Sequence, residues 1–234
     1  MILEIKNNFN IAEIDTFGSY LNLLKFDEID IIFPKQEILE GNDKKIRGGS
    51  HVCLPHFGAS DKVGMDRHGF GRSSEWEVVE LRENYLKLQL VKNIKQWENL
   101  ISTMEYILLD NFLEIRLVVK NIGKESLFVS PAFHPYFKYE SENEIYINGE
   151  KFDFNLEKLQ NTIFYGKVNT LKTSNYEIVF EDKKLSKYVL WTNGTDKYLC
   201  VEPTFNFQAL ADDKELCEIK PESETEFLFK IIKR

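Results

Sequence analysis

Apolar and polar residues alternate with a period of two along much of the chain. In the segment 85–91, Leu86, Leu88 and Leu90 share one face, and polar residues take the other. The segment 113–119 repeats this arrangement with four aliphatic residues on one side. A strand of this kind has one face in the core and one in solvent. The pattern therefore predicts half-buried antiparallel strands.

Shorter strand-like runs and tight turns extend this prediction over the rest of the sequence. Asn148-Gly149 and Asn193-Gly194 offer the left-handed backbone that hairpin turns require. Helical patterns are scarce, and only Glu157–Asn161 is expected to form a turn or two. Many short strands with regular turns favour an all-β sandwich or barrel. The further strand-like runs are Ile29–Phe33, Trp76–Leu81, Glu144–Ile147, Tyr176–Phe180, Lys187–Trp191, Tyr198–Val201 and Thr225–Ile232.

Composition and charge narrow the class of protein. The 234 residues are 43% hydrophobic and carry a formal net charge of −8. One large domain over residues 1–234 is the expected organisation. The acidic balance argues against a nucleic-acid partner and against docking on an anionic membrane. No apolar run is long enough to span a bilayer. Three widely spaced cysteines and a polar N-terminus predict a cytoplasmic protein with reduced thiols.

One segment, Gly41 to Ser74, interrupts the strand pattern and is expected to be irregular. It is rich in glycine and holds three of the four histidines in the chain. Long irregular segments within compact β domains are usually functional. Arg47 and Arg72 supply planar donors suited to hydroxyl pairs, carboxylates or phosphates, and Arg67 adds a third positive charge. Solvated arginines on a surface loop are the alternative interpretation.

Two further residues are candidates for acid–base chemistry. His134 lies among prolines and aromatic residues, which predicts a rigid and partly dry environment for its ring. Glu202 follows an apolar run and precedes Pro203, which is expected to end the strand and leave the carboxylate at the sheet rim. A core histidine bonded to a carbonyl and a solvated strand-end glutamate are the structural alternatives.

Other chemistries have weaker support in the sequence. His51, Cys53 and His56 could ligate a metal, but no second ligand pair follows at the usual spacing. We therefore predict no metal site. The sequence contains no nucleophile elbow, Walker loop or dinucleotide fingerprint, and no cofactor is expected.

Taken together, four segments resemble the aldose 1-epimerase family, the galactose-mutarotase-like proteins. The first joins Arg47-Gly-Gly to Pro55–Gly58, and the second is His68–Arg72. The third is Ala132–Phe137, and the fourth is Leu199–Pro203. They occur in the order of the family, and matching elements extend over most of the chain.

This resemblance implies a large antiparallel β-sandwich, the galactose mutarotase-like supersandwich, with a sugar-binding cleft on one sheet. It implies that His134 is the catalytic acid and Glu202 the catalytic base, and that His68 and Arg47 contact the substrate. The Arg-Gly-Gly and His-Gly-Phe-x-Arg patterns resemble the hexose-6-phosphate mutarotase branch most closely, where Arg72 would help to hold a phosphate. The family usually has an aspartate that touches sugar hydroxyls, and Asp153 and Asp182 are the two options here.

The expected activity is interconversion of the α and β anomers of a hexose or hexose 6-phosphate, without metal or nucleotide. With ordinary pKa values of about 4.3 and about 6.5, Glu202 is expected to be ionised and His134 mostly neutral at neutral pH. A non-catalytic carbohydrate-binding domain of the same fold is the main alternative. A glycoside hydrolase or lyase is a third, but it needs two placed carboxylates, and the sequence offers one. The preferred sugar and the oligomeric state stay open.

Overall fold

A computed structural model of the protein describes residues 1–41, 43–59, 65–92, 94–154, 161–207 and 215–234. Within them, short 3-10 helices occur at Gly71–Ser73, Lys95–Trp97 and Glu142–Glu144. No helix in these ranges is both long and apolar enough to cross a membrane. The strands are β1 Ile2–Lys6, β2 Asn10–Asp15, β3 Tyr20–Phe26, β4 Ile29–Asp30, β5 Gln36–Glu40, β6 Asp43–Arg47, β7 Ser50–Cys53, β8 Trp76–Arg82, β9 Tyr85–Leu90, β10 Leu100–Leu108, β11 Phe112–Asn121, β12 Leu127–Val129, β13 Ala132–Lys138, β14 Tyr146–Ile147, β15 Glu150–Lys151, β16 Ile163–Tyr165, β17 Thr170–Lys172, β18 Glu177–Lys183, β19 Lys187–Trp191, β20 Tyr198–Thr204, β21 Cys217–Ile219 and β22 Glu224–Lys233.

The strands form two large antiparallel sheets and two small ribbons. In the first sheet the order is β1-β2-β3-β7-β13-β20-β19-β16, with β4 paired to β3. In the second sheet the order is β15-β14-β17-β18-β22-β11-β10-β9-β8. The ribbons pair β5 with β6 and β12 with β21. The predicted all-β sandwich is confirmed.

Aromatic side chains join the two sheets through one hydrophobic core. Phe133 of β13 stacks on Phe229 of β22 with ring centroids 6.3 Å apart. Phe137 of β13 meets Phe180 of β18 at 5.3 Å. Both pairs link a strand of the first sheet to a strand of the second. Because side chains alternate between the two faces of a strand, His134 and Tyr136 of β13 point away from the core. We call that face of the first sheet the site face.

The alternating pattern located several strands correctly. The segment predicted at 85–91 is β9, and its three leucines are buried in the core. The segment predicted at 113–119 lies inside β11. The run Lys187–Trp191 coincides with β19. Of the run Ile29–Phe33, only the first two residues form the strand β4. The turn expected at Glu157–Asn161 lies largely outside the described residues.

Two expectations about local structure are wrong. The segment from Gly41 to Ser74 is not irregular throughout, because it contains β6 and β7. Pro203 does not end its strand: β20 continues to Thr204, and Pro203 is paired with Tyr188 of β19. The ladder between β13 and β20 pairs Ala132 with Thr204 and resumes only at Tyr136 with Cys200, so it is interrupted beside Pro203, where the missing N–H would otherwise leave a gap. Glu202 therefore lies within a strand and not at the rim.

Candidate active site

A row of side chains crosses the site face from strand to strand. His134 of β13 lies opposite His51 of β7. The register of β13 with β20 sets His134 beside Glu202, and Glu202 lies opposite Val189 of β19. Directly opposed residues of antiparallel strands project on the same face. Three neighbouring strands thus bring two histidines and a glutamate together from distant parts of the sequence.

His134 and Glu202 form a close pair in a dry environment. The distance from Nε2 of His134 to Oε2 of Glu202 is 3.3 Å. The two residues are only 5% and 2% exposed. Burial raises the pKa of Glu202 well above its ordinary value. Burial, followed by the charge of Arg72, lowers the pKa of His134. Glu202 therefore does not have the ordinary pKa expected from the sequence, because the carboxylate lies inside a covered strand.

Two more imidazoles surround His134. The ring of His51 lies 4.8 Å from the ring of His134, and that of His68 lies 5.1 Å away. The thiol of Cys53 is 3.4 Å from Nδ1 of His68 and 3.9 Å from Nδ1 of His51. Burial lowers the pKa of both neighbouring histidines well below the ordinary value. The cluster therefore consists of neutral rings.

The loop before β8 fixes the orientation of His68. His68 has a left-handed φ of 68°. Gly69 follows, and a Cβ there would lie 2.2 Å from the carbonyl oxygen of Leu54, so only glycine fits. The N–H of Gly58 donates to Nδ1 of His68 over 3.2 Å. Since Nδ1 accepts, the neutral ring carries its proton on Nε2. His68 thus keeps a donor available on its other nitrogen.

A cavity of about 440 Å³ opens above the His134–Glu202 pair. Its size is that of a small-molecule site. Tyr136 stacks on His134 with ring centroids 4.9 Å apart, and the guanidinium of Arg47 lies 5.1 Å over the ring of Trp191. The described lining residues are Lys45, Arg47, Phe57, Arg67, His68, Arg72, His134, Tyr136, Thr162, Val189, Trp191 and Glu202.

The charge of the cavity is opposite to that of the protein. Four of its described lining residues are cations, Lys45, Arg47, Arg67 and Arg72, and one is an acid, Glu202. The whole chain has a formal net charge of −8. Clefts lined by one sign of charge concentrate ligands of the other sign. The arrangement favours an anionic or hydroxyl-rich small molecule.

The five site residues singled out from the sequence all line this cavity. They are Arg47, His68, Arg72, His134 and Glu202. Their chemical roles stay predictions. Neither aspartate option lines it within the described chain: Asp182 accepts from the hydroxyl of Tyr188, and Asp153 lines a separate surface cavity.

The three suggested metal ligands do not form one cluster in the described structure, although the thiol of Cys53 lies 3.9 Å from Nδ1 of His51. His56 points elsewhere, with Nδ1 lying 3.3 Å from the carbonyl oxygen of Phe57. Among the described residues, the three potential ligands whose donor atoms lie within 4.8 Å of one another are His134, Cys200 and Glu202.

The sequence did not point to several cavity residues. Lys45 lies two positions before Arg47 on β6, and Tyr136 lies two positions after His134 on β13. Strand alternation places such residues on one face, so a strand prediction for these segments would have found them. Trp191 and Thr162 have no comparable signal, because their relation to Glu202 depends on strand pairing.

A family model described as aldose 1-epimerase matches residues 42–226. The chain belongs to the aldose 1-epimerase family. The sequence has no significant match among curated proteins.

Solved structures share the fold over nearly the whole chain. Slr1438 from Synechocystis is 19% identical, with a TM-score of 0.80, covering 99% of this chain and 95% of that one. A galactose mutarotase related enzyme from Lactobacillus acidophilus is 16% identical, with a TM-score of 0.80 and coverage of 100% and 97%. A galactose mutarotase-like protein from Lactobacillus casei is 14% identical, with a TM-score of 0.80 and full coverage of both chains, 100% and 100%. The predicted galactose mutarotase-like architecture is therefore correct.

Proposed function

We propose that the protein is a mutarotase that interconverts the α and β anomers of a hexose, with hexose 6-phosphate as the preferred substrate. His134 acts as the general acid and Glu202 as the general base. The observation that carries this proposal is the 3.3 Å separation of their reactive atoms on the floor of the cavity.

Mutarotation requires two proton transfers at oxygens that share one carbon atom. A base takes the proton of the C1 hydroxyl while an acid protonates the ring oxygen, and the C–O bond opens to the aldehyde. After rotation about C1–C2, the two groups exchange roles and the ring closes on the other face. Because both oxygens belong to one carbon, the acid and the base must lie side by side. Each such transfer contributes about 10²–10⁴-fold in rate.

The opposite pKa shifts of the pair suit this reaction. Burial favours the neutral forms of Glu202 and His134, so the free pair consists of a carboxylic acid beside a neutral imidazole. Moving the carboxyl proton to Nε2 of His134 creates the carboxylate and imidazolium that ring opening needs. The number of protons in the site is unchanged by this transfer and by the whole reaction. No metal, nucleotide or covalent intermediate is required.

The cations of the cavity support a phosphorylated substrate. Arg47 and Arg72 are proposed as substrate-binding residues, with Arg72 holding the phosphate and His68 donating from Nε2 to a sugar oxygen. Guanidinium groups suit phosphate because they donate in pairs. The absence of an aspartate from the described lining removes a common acceptor for sugar hydroxyls, which also favours recognition through an anion.

We also propose that residues 1–234 form one mutarotase-like domain that acts in the cytoplasm. All three cysteines are free thiols in the structure, as expected for a reducing compartment. The proposed partners are small-molecule sugars or sugar phosphates, and neither nucleic acid nor a membrane is needed for the reaction.

Exchange NMR on glucose, galactose and glucose 6-phosphate tests the activity. The rate of α–β exchange is measured with and without the protein, and we expect the largest acceleration for glucose 6-phosphate. Glu202→Gln is the matched control, since it removes the base and keeps the shape. Binding of sugar without any acceleration would indicate a non-catalytic carbohydrate-binding domain instead.

Arg72→Ala tests the preference for phosphate. We expect KM for glucose 6-phosphate to rise by about tenfold to a hundredfold, because a hydrogen bond to a charged group contributes about 1.5–3 kcal/mol. Turnover of glucose should change far less. Arg82→Ala removes an exposed arginine on β8 of the other sheet and should alter neither value. Equal losses for both sugars would contradict the phosphate role.

A further inference from the structure

Cys200 lies beside the proposed acid–base pair but does not line the cavity. It precedes Glu202 by two positions on β20, so both side chains project on the site face. It lies opposite Tyr136 of β13 in the strand register. One donor atom each from His134, Cys200 and Glu202 lie within 4.8 Å of one another. The mutarotase chemistry described above uses the histidine and the glutamate and leaves the thiol without a role.

From this cluster we propose that His134, Cys200 and Glu202 form a binding site for one Zn²⁺ ion, which blocks the site against sugar. The inhibition rests on the proposed function, whereas the binding of the ion does not.

The donor geometry is close to that of a zinc site. Zinc is bound by His nitrogen and carboxylate oxygen at about 2.0–2.2 Å, so two such donors in a tetrahedral site lie about 3.4 Å apart. The observed distance from Nε2 of His134 to Oε2 of Glu202 is 3.3 Å. A zinc–thiolate bond of about 2.3 Å places sulfur about 3.6 Å from the other donors. Since the donor atoms lie within 4.8 Å of one another, the sulfur of Cys200 has to come closer to the other two donors by about 1.2 Å or less to complete the set.

The cluster also contains a buried oxygen that protein groups do not satisfy. Oε2 of Glu202 lies 3.3 Å from Nε2 of His134 but makes no hydrogen bond of good geometry to it or to any other group of the described chain, and Nδ1 of His134 makes none either. Glu202 is only 2% exposed. A buried acceptor without a partner carries a free-energy cost. A cation between the three side chains would remove the cost at Oε2.

The chemistry of the donors selects the ion. A thiolate, an imidazole and a carboxylate suit Zn²⁺, whereas Mg²⁺ and Ca²⁺ prefer oxygen ligands alone. Binding releases the thiol proton of Cys200 and the carboxyl proton of Glu202 to solvent. The resulting thiolate and carboxylate balance the two charges of the ion. Arg67 and Arg72 then face a neutral centre, whose fourth position opens to the cavity and suits a water or an anion.

The test uses the purified full chain with Zn²⁺ as the only ligand. Competition with a fluorescent chelator gives the dissociation constant. Substitution with Co²⁺ gives an independent signature, a thiolate-to-cobalt absorption band. We expect 1:1 binding with that band, and loss of anomer exchange activity at the same zinc concentrations.

Cys200→Ser is the decisive variant, with Cys217→Ser as the matched control on β21. Cys200→Ser should weaken zinc by at least about tenfold, since even loss of groups that support metal ligands costs about 10–100-fold in affinity. It should remove the cobalt band and retain the anomer exchange rate. Cys217→Ser should change none of these.

Two results would overturn the proposal: zinc binding that is unchanged in Cys200→Ser, or no binding by the wild-type protein. Cys200→Ala, with thermal melting as a check on folding, repeats the test if the serine variant is unstable. If the wild-type protein binds zinc but does not accelerate anomer exchange, the proposed zinc site stands and the proposed mutarotase activity is wrong.

Discussion

Each of the two sheets carries a row of ionisable side chains on the face that points away from the core. On the second sheet the row is a charge ladder of Lys87, Glu105, Arg116, Glu226 and Lys183, which crosses five neighbouring strands. Lys87 lies 2.9 Å from Glu105, and Arg116 lies 3.7 Å from Glu226. Every acid in the ladder touches a base.

The row on the first sheet, His51, His134 and Glu202, has the opposite character. Its members are buried, and their pKa values are shifted toward the neutral forms. Arg116 and Glu226 of the charge ladder are about one-third exposed, at 30% and 31% for their side chains. Burial of ionisable groups without full pairing opposes folding. The charge ladder is suited to solubility and modest stability, whereas the buried row opposes folding and has a use only in the proposed chemistry.

The largest effect is expected for the buried row in catalysis. Glu202→Gln should lower kcat for anomer exchange by about 10²–10⁴-fold, which is about 3–5 kcal/mol of activation free energy. Exchange NMR gives the rate, and circular dichroism checks the fold. The same change on the charge ladder, Glu226→Gln, should leave the rate unchanged. A fully active Glu202→Gln variant would contradict the proposal that the buried row carries the catalytic groups and the charge ladder does not.

A smaller effect concerns stability against acid. Burial lowers the pKa of His51, so the folded protein keeps the ring neutral while the unfolded chain takes up a proton below about pH 6.5. The contribution of the neutral His51 ring to the free energy of unfolding is therefore fully present above that pH and is lost as the pH falls below it. Between pH 7.5 and 5.5 the loss is about 1.4 kcal/mol.

His51→Phe should remove that contribution, as urea unfolding at the two pH values would show. Tyr20→Phe is the control, because the ring of Tyr20 contacts His51 at 5.3 Å and does not titrate in this range. If the free energy of unfolding falls between pH 7.5 and 5.5 by the same amount in His51→Phe as in the wild type, the His51 ring takes up its proton in the folded protein as well.

The smallest effect is expected on the charge ladder. Lys87→Met should change the free energy of unfolding by about 0.2–1 kcal/mol, because exposed ion pairs are weak. The difference from wild type should shrink in high salt, since salt screens surface charges. Urea unfolding at low and high salt measures both. A loss of unfolding free energy several times larger would show that these ion pairs are not the weak, solvent-screened pairs that their exposure indicates.

The sequence predicted the fold well where alternation is clean and less well elsewhere. In β9, leucines mark the core face without interruption. In β10, Ser102 takes a core-facing position and is fully buried, so the apolar period is broken and the strand is not evident. The all-β fold class could still be predicted, because recognising some of the strands is enough to assign it.

The site was predictable through its motifs but not its environment. The resemblance selected five residues that line one cavity, because each lies in a recognisable segment. It could not reveal that the side chain of Glu202 is buried, since burial depends on parts of the chain that are distant in sequence. For the same reason the shifted pKa values and the nearness of Cys200 to His134 were not foreseen.

The ribbon of β5 and β6 is separate from both sheets, yet it carries Lys45 and Arg47 to the cavity. The proposed acid and base lie in β13 and β20 of the first sheet, while part of the charged cavity wall belongs to the hairpin of β5 and β6. Substitutions in that hairpin can therefore change which ligand the cavity binds without disturbing the proposed acid–base pair. Under the proposed function, a change of substrate preference would be expected to begin with substitutions in this hairpin.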